Sequence, residues 1–81
     1  MEMNETKIFE CSDIYATAAL LCTGARLLGL RKVSDQRAVF VLEDFPGREE
    51  RIRQYFTGEL EGSFKKFANH WSDLKGLVMA S

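Results

Sequence analysis

His70 is the only histidine in the chain, and imidazole is the side chain best suited to moving a proton near neutral pH. Asp73 follows it by three residues and Lys66 precedes it by four, so each sits about one helical turn away. That spacing allows a general base oriented by Asp73. It equally fits a boundary histidine in a surface charge pair, and no serine or cysteine is tied to His70 by the sequence. We therefore read His70 as structural and expect no enzyme. Cys11 and Cys22 are the only cysteines, and their spacing resembles neither a zinc pair nor a redox Cys-x-x-Cys. No metal or other cofactor is expected. Ser12-Asp13, Glu43-Asp44 and Glu49-Glu50 all stand beside expected helix starts, where capping and the helix dipole account for them.

The basic residues offer the other candidate chemistry. Arg48, Arg51 and Arg53 cluster in the linear sequence. On a helix, however, Arg51 and Arg53 fall about 160° apart, and Glu49 precedes Arg53 in a favourable i,i+4 pair. Arg26, Arg31, Lys32 and Arg37 would share one hairpin. They are the candidate nucleic-acid patch, because a two-stranded ribbon can enter a major groove. Asp35 in the turn and the apolar Leu27-Leu28-Gly29-Leu30 count against it. Residues 26–53 carry seven basic side chains against five acids, in a chain whose net charge is −1. No global field for nucleic acid or an anionic membrane results.

These residues need elements to hold them. Residues 6–10 read as a short strand. Ser12 is the expected N-cap of a helix over 13–23, which ends at Gly24 and is apolar around most of its circumference, with small alanines that permit close packing. Strands over 26–33 and 37–43 follow, joined by Ser34-Asp35-Gln36, with Gly29 marking a bulge or a close backbone approach. Asp44 and Pro46 suit the start of a helix over 46–57 that presents Ile52, Tyr55 and Phe56. Residues 58–62 break the chain, and Ser63 caps a last helix. In that helix Phe64, Phe67, Ala68, Trp71, Leu74 and Val78 share an arc of about 120°. We read the aromatics of that arc as core, with Lys75 lying along its apolar surface.

The predicted fold is a small single α+β domain over residues 1–81, in the order β-α-β-β-α-α, with a three-stranded sheet packed by helices and residues 1–5 a flexible N-terminus. The central puzzle is Arg37-Ala38-Val39-Phe40-Val41-Leu42-Glu43-Asp44. Ala38, Phe40 and Leu42 point one way and Val39 and Val41 the other, so both faces of this strand are apolar. We expect the first and last helices to cover one face and the Ile52 helix to fold over part of the other. A dimer is the alternative cover.

The run CSDIYATAALLCTGARLLGL, followed by RAVFVLED and YFTGEL, resembles a family of small bacterial and phage proteins described as a domain of unknown function. The resemblance spans nearly the whole chain and implies a shared small α+β fold. It implies no activity, cofactor or site residue. Composition fits a folded protein, at 46% apolar and 28% charged residues. No apolar stretch is long enough to span a bilayer, and the acidic, polar start is unlike a signal peptide. We expect a cytoplasmic protein with reduced thiols, working as a non-enzymatic protein-interaction module that self-associates or takes a protein partner. The alternative is a nucleic-acid-binding or regulatory protein using the basic hairpin, and no small-molecule substrate is evident.

Overall fold

A computed structural model describes residues 7–35 and 37–80. The expected N-terminal flexibility and Gln36 of the hairpin turn lie outside the described residues. The elements run β1 (Ile8–Cys11), α1 (Ile14–Cys22), β2 (Leu27–Ser34), β3 (Arg37–Glu43), α2 (Arg48–Thr57) and α3 (Phe64–Ala80). This is the predicted β-α-β-β-α-α order. The sheet is antiparallel with strand order β1-β3-β2. The most apolar strand therefore takes the centre. β1 and β2 flank it in parallel to one another, joined by α1 as a crossover.

Cap chemistry sets the ends of α1. Asp13, rather than the expected Ser12, is the N-cap, and its Oδ1 accepts from Tyr15 N at 2.8 Å and Ala16 N at 3.1 Å. The helix starts one residue later than predicted because the carboxylate reaches both amides. Gly24, at φ 105, closes the other end as foreseen. Its N–H donates to Leu21 O, and that of Ala25 donates to Leu20 O, a paired arrangement that only a left-handed residue allows. Asp13→Ala is expected to cost about 1 kcal/mol. Thermal denaturation should show a drop of about 4–8 °C, while Ser12→Ala stays near wild type. The reverse order would assign the cap to Ser12.

One face of the sheet holds the core. Phe9, Phe40 and Leu42 from the strands meet Ala18 and Leu20 of α1 and Leu74 of α3. Five consecutive residues of α1, Ala16 to Leu20, are buried, as expected for a central helix. Buried Thr17 is satisfied by donating Oγ1 to Asp13 O at 2.8 Å. The alanines leave room for α3 to lie close along α1.

α2 does not reach the second face. Ile52 packs against the same core as the other helices, because the turn after β3 pins α2 to that side. Phe45 stands edge-on to Phe9 at 6.2 Å, the Arg48 guanidinium lies 4.7 Å from the Phe9 ring centroid and pairs with Asp44 at 3.0 Å, and Arg51 donates to Thr23 O at 3.0 Å. α2 itself starts at Arg48, after Gly47 in the left-handed region, two residues beyond Pro46.

The outer face is instead crossed by one ion pair. Glu10 on β1 sits opposite Val41, and Arg31 on β2 sits opposite Val39. Their side chains meet over β3, with Arg31 Nη2 donating to Glu10 Oε1 at 2.7 Å and Nε to Oε2 at 3.2 Å. Val39 and Val41 are half-buried, while Ile8 and Val33 on the flanking strands are 53% and 55% exposed. Bulges at 27–29 and 32–34 shift the β2 register, which explains Gly29. A Cβ there would meet nothing within 4 Å, so no close approach demands the glycine.

Candidate functional site

α3 departs most from its predicted role. It is 17 residues long against nine in α1, about 25 Å against about 13 Å. It therefore runs beyond the length of its partner. Of the predicted apolar arc only Leu74 is fully buried. Phe67, Trp71 and Val78 are half-buried, Ala68 is exposed and Phe64 is 92% exposed. The core assignment of Phe64 is thus corrected, since the arc has the right period but runs past the end of the surface it packs on.

Phe64 stands at the rim of a cleft of about 260 Å³. The end of α1 supplies Ala19, Cys22 and Thr23, α2 supplies Tyr55, the connecting loop supplies Leu60, Glu61 and Gly62, and Phe67 lies beside Phe64 on α3. Each element is placed by local sequence. Gly58, left-handed at φ 82, stops α2, and the amides of Glu59 and Leu60 both turn back onto Gln54 O. Ser63 Oγ then accepts from Lys66 N at 3.2 Å and starts α3. Phe56, edge-on to Tyr55 at 5.0 Å, is 64% exposed beside the same wall. Burial pushes the Cys22 thiol up, against a smaller opposing pull from Lys66, and raises the Tyr55 hydroxyl too. Both therefore stay neutral, and the wall is predominantly hydrocarbon and aromatic.

The predicted nucleic-acid residues are spread out. Arg37 opens β3 at the hairpin end, whereas Arg26 O accepts from Glu43 N at the far end of that strand, about 20 Å away by strand rise. Arg26 instead lines a polar groove with Arg51, Glu43 and Asp44. Arg31 and Lys32, paired with Val39 and Ala38, project to opposite faces, and Arg31 holds the Glu10 carboxyl below the usual carboxylate range. On α2, Arg53 pairs with Glu50 and Glu59 rather than with Glu49. His70 is half-buried, and among the described residues no hydrogen bond joins it to Asp73 or Lys66. Neighbouring Trp71 stacks on Tyr15 at 6.1 Å, and Lys75 Nζ lies 5.0 Å from its centroid, so the ammonium itself, which the sequence reading sent to water, meets the ring. Its buried indole N–H meets no acceptor among the described residues. Cys11 and Cys22 are free thiols. Among the described residues no cluster of three metal-ligating side chains occurs, and no helix is long and apolar enough to cross a membrane.

Sequence reasoning missed the cleft, although it left two signs. Leu60 stands between two glycines in a break that is otherwise polar. Lys65 and Lys66 occupy the first turn of α3, where the helix dipole disfavours cations.

No curated protein and no solved structure matches the chain. The packing residues, caps and turns described above all fall within one family match. The model described as "Domain of unknown function (DUF5659)" covers residues 6–80, and the chain belongs to that family.

Proposed function

We propose that the chain is a small non-enzymatic protein-interaction module, working in the cytoplasm with its thiols reduced. One observation carries this reading: the exposed ring of Phe64 lines an apolar cleft built by three helices and a loop, and exposed Phe56 stands edge-on to Tyr55 of its wall. An aromatic ring held in water at the mouth of an apolar cavity resembles the anchor of a protein interface, where aromatic residues are enriched and charges sit at the rim. Glu61 is the one ionisable carboxylate in the wall, so the cleft is suited to apolar contact more than to proton transfer.

The test is affinity capture from the native cell with wild-type and Phe56→Asp/Phe64→Asp chains, analysed for protein and nucleic acid. A stoichiometric protein partner, present with wild type and absent with the variant, is the expected result. Recovery of nucleic acid alone, equally with both chains, would overturn it in favour of the basic hairpin. That binding would weaken by ~0.9 log units per log unit of salt for each phosphate neutralised.

A further inference from the structure

We propose that the cleft seats a second copy of this chain, in an isologous dimer where Phe64 of each copy enters the cleft of the other. The inference rests on the interaction reading and deepens it by naming the partner. Phe64 and the cleft are a knob and a hole on one surface. A single chain cannot join them, because Phe64 already forms the rim and its ring points to solvent at 92% exposure. A twofold axis beside Phe64 joins them twice, which is the self-complementarity an isologous contact requires. The volume suffices: benzene fits an apolar cavity of about 150 Å³, and this cleft offers about 260 Å³.

Charge complementarity selects a second copy over an unrelated apolar partner. Glu59 and Glu61 precede the knob and Lys65 and Lys66 follow it. Among the described residues Glu61, Lys65 and Lys66 form no ion pair. Rotation about an axis at Phe64 carries the lysines of one copy onto Glu61 of the other, and the reverse. The same contact answers the two cations at the positive end of α3, since a partner carboxylate offsets both lysines and dipole. Glu61 lines the cleft and Lys65 and Lys66 follow Phe64 in the first turn of α3, so both signs of charge stand next to the aromatic knob in the chain.

Sedimentation equilibrium of the full chain over a range of concentrations tests this. Wild type is expected to dimerise. Phe64→Ala should weaken the dimer at least about 30-fold, the scale of an interface hot spot, with an unchanged circular dichroism melt at concentrations low enough that both chains are monomeric, because the ring is exposed and only the dimer would add stability. Glu61→Lys alone and Lys65→Glu/Lys66→Glu alone should each be monomeric, and an equimolar mixture of the two should associate as a heterodimer. A wild-type monomer at every concentration, a dimer indifferent to Phe64→Ala, or a mixture that stays monomeric would each overturn the inference. A monomer that still captures another protein through Phe56 and Phe64 removes the dimer and leaves the interaction reading standing. A dimer that depends on Phe64 but captures nothing else upholds both, with the chain as its own partner.

Discussion

Phe40→Ala is expected to remove about 3–5 kcal/mol of stability, while Val41→Ala, one residue along the same strand, removes about 1 kcal/mol. Phe40 is 2% exposed at the centre of the middle strand and sits in the cluster with Leu20, Leu42 and Leu74. Truncating it opens a cavity that three helices and a sheet meet around, and close-packed neighbours refill such a space only partly. Val41 faces the other way, beneath the Glu10–Arg31 pair, with half-buried Val39 beside it. Its loss exposes little that water did not already reach. An 81-residue domain has a total stability of about 4–12 kcal/mol, so the first substitution takes a large share and the second does not. Urea denaturation followed by far-UV circular dichroism gives both values from midpoints at constant slope. Equal costs would mean that the outer face is buried as deeply as the inner one.

That asymmetry marks where the sequence stopped being readable. Element order, the Gly24 and Ser63 caps and the central place of the Ala-rich helix were legible because each rests on local chemistry or on a period of a few residues. The double apolar face of β3 was legible too. What covers it was not. The answer depends on Phe45, Arg48 and Arg51 tying α2 to Phe9, Phe45 and Thr23, and the Arg51–Thr23 contact joins residues 28 apart in sequence, the Arg48–Phe9 contact residues farther apart still. Nor does a single strand pattern reveal an Arg31–Glu10 pair spanning three strands. The hairpin patch failed to gather for a similar reason. Residues adjacent in sequence point to opposite faces of a strand, and residues at its two ends stay a strand's length apart. Phe64 shows the opposite limit. Its period on α3 matches the core arc, yet period says nothing about where the partner surface ends.

Leu74→Ala is expected to destabilise the chain by about 2–5 kcal/mol and to lower the melting temperature by more than about 10 °C. Among the 17 residues of α3, Leu74 is the only one fully buried, at 1% exposed. The half-buried Phe67, Trp71 and Val78 pack around the same cluster, but each keeps one side to solvent. Leu74 is therefore the deepest anchor of α3, with Phe67, Trp71 and Val78 adding partial burial around it. Trp71 offers a local reporter, since its ring stacks on Tyr15 of α1 and its fluorescence follows the α1–α3 contact. Circular dichroism follows the whole fold. Coincident transitions in Leu74→Ala mean that α3 leaves only when the core does, as two-state behaviour requires. Trp71 changing first, at lower denaturant, means that α3 detaches on its own. The cleft wall would then open with it, because Phe64 and Phe67 are its α3 side. In that case Leu74→Ala would also weaken any contact made through Phe64, without touching a residue that lines the cleft.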